Sequence, residues 1–373
     1  MLVHICCSVD SHYFLQELKK IYPNEKFIAF FYNPNIHPEE EYELRLFDVK
    51  RSCKILDIDL IVGDYDFISW FDKIKGLEYK EEKGERCSLC FDERLFKSAV
   101  LASQLDEKSL TTTLLASPMK RQNELFLLGD NIAKQFGLEF VKIDVRSDGG
   151  TQRQSKLAKD SNLYRQNYCG CFFALEKQRN RANKLAFELF NDIGGQILKG
   201  SIKWNLDIFI KLNKFERDKT PHILQKNTIN AYRLLSGSVV KINPINQDST
   251  KKSMVLPSYI FTHSKSVKNL KSGKIFWKKI SFNNASIMLG FCDNALFIDI
   301  NSINLIFKKD YKNVYDMIYN PPLYDDELEF RIKILGADSI KPFIVLDSMI
   351  DDNVKINIDS VFQNMDIFEL IKL

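Results

Sequence analysis

No run of this sequence approaches the eighteen apolar residues of a membrane span, so no transmembrane helix is expected. Residues 1–7 are apolar, but they are soon interrupted by Asp10 and have no basic region before them, so no secretory leader is expected either. There is no internal repeat and no low-complexity stretch. A composition that is 45% hydrophobic and 27% charged leaves the ordinary globular class, and 373 residues suggest two domains. The expected compartment is the reducing cytoplasm, where clustered cysteines bind metal or do redox work more readily than they staple a fold. One further absence is local. From Ser249 to Cys292 there is no Asp or Glu but eight lysines, whereas Asp293 onward carries fifteen acidic residues against eight basic ones.

Cysteine is where the sequence is rich. Six of the eight cysteines fall in three tight groups: Cys6-Cys7, the CxxC of Cys87 and Cys90, and the CxC of Cys169 and Cys171. Thiolates this dense bind zinc or iron–sulfur clusters, or cycle between dithiol and disulfide. Zinc sites commonly pair two C-x2-C groups, and only one group here has that spacing. A [4Fe–4S] cluster needs four thiolates, which Cys6, Cys7, Cys87 and Cys90 can supply if the chain bends at Ser8. The CxC around Gly170 suits either a tight redox disulfide or two ligands of a second metal. Asp10 offers an oxygen ligand or an N-cap for the first helix. Cys53, inside a helical pattern, and the isolated Cys292 read as core thiols.

Along the first half, Met1–Ile5 and the apolar run Phe27–Tyr32 read as buried strands, and Asp59–Gly63, the β-branched and apolar Ser109–Leu115 and Glu139–Val145 as three more strands. Helical patterns separate them: around Tyr13–Leu18, Pro38 to about Leu56, around Trp70 and Phe71, Phe91 to about Ser103, and Gln122–Phe136. A charged loop, Glu78 to Arg86, is expected to deliver the CxxC. This alternation predicts an α/β fold, a parallel five-stranded sheet with helices on both faces, of the nucleotide α-hydrolase (HUP-like) kind. Ligands of such sheets sit beyond the carboxyl ends of the strands, where Cys6, Cys7, Asp10, Asn33 and Ser117 fall. After Arg181 short apolar runs are cut by Asn, Asp, Lys and Pro, which predicts a separate α+β or mostly β domain. The expected division is 1–182 and 183–373.

The N-terminal half resembles the cobalamin-independent epoxyqueuosine reductases. The resemblance is carried by His4-Ile-Cys-Cys, Phe31-Tyr-Asn-Pro-Asn-Ile-His-Pro-Glu-Glu-Glu-Tyr42 and Gly84-Glu-Arg-Cys-Ser-Leu-Cys90. It continues in Thr111-Thr-Thr-Leu-Leu-Ala-Ser-Pro118 and Leu163-Tyr-Arg-Gln-Asn-Tyr-Cys-Gly-Cys171. It implies reduction of the epoxide of epoxyqueuosine, at the wobble position of tRNA, to queuosine. It also implies an iron–sulfur cluster on Cys6, Cys7, Cys87 and Cys90 and a redox-active pair at Cys169 and Cys171. Many members have a further cysteine where this chain has Asp10, and a carboxylate there still suits a mononuclear iron.

Removing an epoxide oxygen to leave an alkene takes two electrons and two protons and releases water. A cluster passes one electron at a time, so a second centre, dithiol or metal, is useful, and an electron donor is required. His4, His12 and His37 are candidate proton donors. Tyr32, Asn33 and Tyr164 are candidate contacts to the nucleoside, and Arg146, Arg153 and Arg165 candidate phosphate contacts. Lys265, Lys268, Lys271 and Lys274, in the acid-free stretch, are candidate contacts to the anticodon stem. Two other classes fit parts of the pattern: a zinc-stapled tRNA-binding module and an ATP-dependent tRNA-modifying enzyme. Against the latter, this chain has no Ser-Gly-Gly-x-Asp-Ser phosphate loop after the first strand, where Cys6–Asp10 stand instead.

Overall fold

The computed structural model describes residues 1–190, 196–242, 254–262 and 272–373. The chain divides into two compact units. The first comprises Met1–Leu189, Asn205–Gln225 and Phe368–Leu373; the second comprises Phe190–Trp204 and Lys226–Ile367.

The first unit is built on five strands, β1 (Leu2–Ile5), β2 (Ile28–Phe31), β3 (Asp59–Val62), β4 (Ser109–Thr112) and β5 (Glu139–Phe140), in the order β3-β2-β1-β4-β5. All pairs are parallel. The connecting helices are α1 (Ser8–Ile21), α2 (Glu39–Leu56), α3 (Phe67–Ile74), α4 (Glu85–Gln104) and α5 (Gln122–Gln135), followed by α6 (Gly150–Asp160) and α7 (Phe172–Arg181). The α/β expectation holds. Leu2, Val3, Ile5, Ala29, Phe31 and Leu110 are sealed between the layers, which is why these strands are rich in apolar residues. The strand order reverses between β1 and β4, the place where open α/β sheets gather ligands.

Three boundaries depart from expectation. The first helix starts at Ser8, directly after Cys7, so the chain bends there without a separate turn. Helix α4 starts at Glu85, so the CxxC sits in its first two turns and not at the end of a loop. β5 ends at Phe140 although Val141, Ile143 and Val145 are buried. Its neighbour β4 turns at Thr113 into a single 3₁₀ turn, Thr113–Ala116, and offers no further ladder partner. The unit also takes in later segments. In α8 (Ile202–Arg217), Glu216 receives the Arg51 guanidinium at 2.8 Å, and Phe209 and Phe368 pack on the Tyr164 ring at 5.3 and 5.9 Å between centroids.

The second unit has a mostly antiparallel five-stranded sheet. Its strands are β6 (Ser258–Phe261), β7 (Phe276–Phe282), β8 (Ala285–Cys292), β9 (Ala295–Asp299) and β10 (Phe343–Leu346), and among the described residues only β9 and β10 of this sheet pair in parallel. Three helices, Ile300–Phe307, Val314–Tyr319 and Tyr324–Leu335, interrupt the strands. A second sheet rests on two long strands, His222–Ile242 and Asn353–Lys372. This is the expected α+β character. Among the described residues no helix is long and apolar enough to cross a membrane.

Candidate metal and redox centre

At the switch point Cys6 and Cys7 leave β1 and enter α1. The Cys6 amide donates to Thr113 Oγ1 at 3.1 Å, and that hydroxyl lies 3.4 Å from Cys6 Sγ. The turn after β4 therefore fixes the turn after β1. The two sulfurs stand 3.8 Å apart, and the Cys6 thiol donates to Asp10 Oδ2 at 3.5 Å. One ligand atom from each of Cys6, Cys7 and Asp10 lies within 4.8 Å of the other two. Asp10 does not cap its helix. It sits in the first turn, and its other oxygen accepts from Gln154 Nε2 at 2.7 Å.

These residues line a cavity of about 300 Å³, and the other four clustered thiols line it too. Cys87 and Cys90 reach it from one face of α4, as the i, i+3 spacing requires. Cys169 and Cys171 reach it from the turn before α7, in which Gly170 takes φ +105°. Three segments about 80 residues apart in the chain thus converge on one space. Every one of the eight cysteines is a free thiol here. Cys53 and Cys292 are buried away from the cavity, as core residues.

The walls are cationic: Arg45, Lys83, Arg86, Arg94 and Lys120 face two acids, Asp10 and Glu82. The surroundings disfavour the charged forms of Cys7, Cys87, Cys171 and Asp10. The hydrogen bond with Cys6, burial and the nearby Asp10 push the Cys7 thiol well up. Burial raises Cys87 and Asp10, the latter held back in part by its hydrogen-bond donors. Burial, with Cys169 beside it, pushes Cys171 up to about 12. Burial works against the Lys120 ammonium, yet Cys169 and Cys87 beside it hold its pKa above the ordinary value. Acids whose charged forms are disfavoured here would ionise against a bound cation, because metal ligands bind deprotonated.

The other candidates scatter. Asn33 lines the cavity; its amide donates to Ile5 O at 2.8 Å and its oxygen accepts from Arg94. Tyr32 is buried with its hydroxyl on Glu93, and Tyr164 is buried with its hydroxyl on Glu41 at 2.9 Å. Arg146 brackets Ser117 O and Lys120 O at 2.8 Å each. Arg153 donates to Asp148 O and Arg165 to Ser155 Oγ. These five are not among the cavity-lining residues. His4 is sealed between Thr112 Oγ1 and Tyr32 O, and His12 bonds Ser52. The His37 ring packs against Phe67 and Phe172. Lys274 pairs with Asp351 at 2.9 Å, while Lys265, Lys268 and Lys271 lie outside the described residues.

Sequence reasoning missed Arg45, Arg86, Arg94, Lys120 and Trp70. Arg45 and Arg94 sit in helices that read as amphipathic, where a charge is normally taken as solvated. Arg86 had a signal, since it directly precedes Cys87.

The family model for epoxyqueuosine reductase QueH matches residues 1–177. The epoxyqueuosine reductase QueH of Helicobacter pylori is 40% identical over 380 residues, covering 100% of each chain. That of Thermotoga maritima is 33% identical over 184 residues, 48% of this chain and 93% of that protein. A solved structure, the U34-tRNA thiolase NcsA from Methanococcus maripaludis with its [4Fe-4S] cluster, overlaps 52% of this chain and 74% of its own at 13% identity. Its TM-score of 0.22 is too low to inform the site. With its cysteines gathered at the switch point and an end-to-end relative at this identity, the chain belongs to the epoxyqueuosine reductase QueH family.

Proposed function

We propose that this chain reduces the epoxide of epoxyqueuosine, at the wobble position of tRNA, to the alkene of queuosine. The observation that carries the reading is the convergence of six thiols and Asp10 on one cavity of a chain aligned end to end with a named epoxyqueuosine reductase. Cys6, Cys7, Cys87 and Cys90 would hold a [4Fe–4S] cluster, and Asp10 would supply an oxygen ligand to a second, mononuclear iron. The donor set fits: four thiols face one space, and a cluster bound by four thiolates is anionic, which Arg45, Arg86, Arg94 and Lys120 offset. When bound, such a centre supplies single electrons and a Lewis acid.

The residues do the rest. Cys169 and Cys171, on closing to a disulfide, release two electrons and two protons, the number that removes the oxygen as water and leaves a double bond. An external reductant then restores the dithiol. Gln154 holds Asp10 with one carboxylate oxygen toward Cys6. Trp70, Ile36, Phe91 and Leu114 give the cavity apolar walls that limit water. The substrate class puts the enzyme in the cytoplasm. The second unit, with the lysine-rich stretch that includes Lys265, Lys268, Lys271 and Lys274, extends the contact to tRNA beyond the anticodon loop.

The test is anaerobic purification with metal and sulfide analysis. It is followed by turnover of tRNA bearing epoxyqueuosine under a chemical reductant, with nucleosides read by mass. The expected result is a brown protein with iron and sulfide, and loss of one oxygen from the nucleoside. A colourless protein holding zinc alone would overturn the reading in favour of a zinc-stapled module.

A further inference from the structure

The turn carrying Cys169 and Cys171 is fixed at every backbone carbonyl ahead of α7. Tyr168 O accepts from Arg45 Nη2 at 3.0 Å. Cys169 O accepts from Asn35 Nδ2 at 3.4 Å, and Gly170 O from the His37 amide at 2.9 Å. The Tyr168 hydroxyl donates back to His37 O at 2.7 Å, and its ring lies under the Arg45 guanidinium, 5.2 Å from centroid to Cζ. All three donors come from α2 or the loop after β2, more than 120 residues earlier in the chain.

Arg45 is the centre of this set. It is 3% exposed and its Nε donates to Glu41 Oε1 at 2.7 Å; Glu41, 1% exposed, takes the Tyr164 hydroxyl on its other oxygen. A buried ion pair is weak as a source of stability, because desolvation offsets most of the Coulomb gain. What this pair delivers is position. A Cβ at Gly170 would lie 3.3 Å from Arg45 Nη1, so the guanidinium also walls the one residue between the two cysteines.

We infer that Arg45, held by Glu41, is a positioning residue that pins the Cys169–Cys171 backbone and so sets the dithiol–disulfide equilibrium of that pair; this rests on the redox-pair reading above. Joining the sulfurs of a CxC closes a small ring through Gly170 and requires that backbone to adjust. The clamp therefore opposes the disulfide and keeps the pair a ready oxidant once its electrons are spent. In balance, two thiols give one disulfide, two electrons and two protons, exchanged in the test with a dithiothreitol buffer.

The variant is Arg45→Lys, which keeps a cation beside Glu41 but loses the fork that reaches Tyr168 O. Full-length protein is equilibrated anaerobically across dithiothreitol ratios, quenched in acid, and mapped for the Cys169–Cys171 peptide by mass. The expected result is a disulfide in both proteins, with the equilibrium constant roughly tenfold more favourable in Arg45→Lys, about 30 mV more negative. Asn35→Ala, which frees only the Cys169 carbonyl, should move the same way by less, and it serves if Arg45→Lys does not fold. An unchanged constant in a folded variant overturns the inference. Failure of the wild-type chain to form that disulfide at any ratio overturns the redox-pair reading beneath it as well.

Discussion

Replacing Gly170 with alanine tests how tightly the cysteine turn is built. Two costs add. Gly170 sits at φ +105°, where a side chain is strained by about 1–3 kcal/mol. Its new Cβ would also lie 2.8 Å from Ile36 Cγ1 and 3.1 Å from Ile36 Cα. The first neighbour is a buried side chain. The second is backbone, held because the Ile36 amide bonds Asn33 O and Ile36 O takes the Tyr65 hydroxyl. Such overpacking costs a further 1–3 kcal/mol or so. Gly76 is the control: it takes φ +86° with nothing within 4 Å of a built Cβ, so Gly76→Ala carries the strain without the clash. For a unit of this size each kcal/mol lowers the melting temperature by about 2–4 °C. Gly170→Ala should therefore melt roughly 5–20 °C lower than wild type, and Gly76→Ala clearly less. Thermal unfolding by circular dichroism reads both, and nucleoside mass reads turnover, which Gly170→Ala should lose and Gly76→Ala keep. Equal melting losses for the two would refute the packing argument.

Cys87→Ala and Cys90→Ala should lose cluster iron by elemental analysis, while Cys53→Ala keeps it and loses about 1 kcal/mol at neutral pH to a small cavity. Burial pushes the Cys53 thiol up to about 12, so the folded chain keeps it protonated where the unfolded chain ionises near 9. The wild type thus loses stability from pH 9 to 12, and the gap to Cys53→Ala in denaturant melts should narrow over that window. Asp10→Asn should abolish turnover while keeping the cluster chromophore. Because burial raises the Asp10 carboxyl, its contribution to stability is present at low pH and lost as pH rises through its folded pKa. Metal-free Asp10→Asn should therefore gain on wild type in melting temperature as pH rises from 3 to 8. Changing Lys265, Lys268, Lys271 and Lys274 together to Glu should weaken tRNA binding and flatten its salt dependence with cluster iron intact; unaltered affinity in filter binding would remove that surface from consideration.

Strands β1 and β2 were legible because buried parallel strands are rich in apolar residues, β4 because its run of threonines and leucines is β-branched and apolar, and the thiols because cysteine is sparse elsewhere. What stayed hidden has one physical cause: a charged side chain reads as solvated unless its partner is known. Glu41 and Arg45, four apart in a helix, look like a surface pair and are almost fully buried. Arg146 and Arg165 looked like phosphate contacts, but Arg146 is spent on two backbone carbonyls. Residues 78–86 looked like loop because acids and lysines crowd there, yet Gly84 with Glu85 starts a helix as the dipole favours. The long strands His222–Ile242 and Asn353–Lys372 escaped because polar residues break their apolar pattern along much of their length.

The makeup of the first unit bears on how this gene is to be cut. The chain leaves that unit after Leu189, returns to it for Asn205–Gln225, and returns again for Phe368–Leu373. The two segments of the second unit thus lie, in sequence, between segments of the first. A stop codon after residue 189 would strip Phe209 and Phe368 from the Tyr164 ring and leave the Arg51 guanidinium without Glu216. A shortened enzyme needs those two later pieces restored, or the bare faces recoded with polar residues.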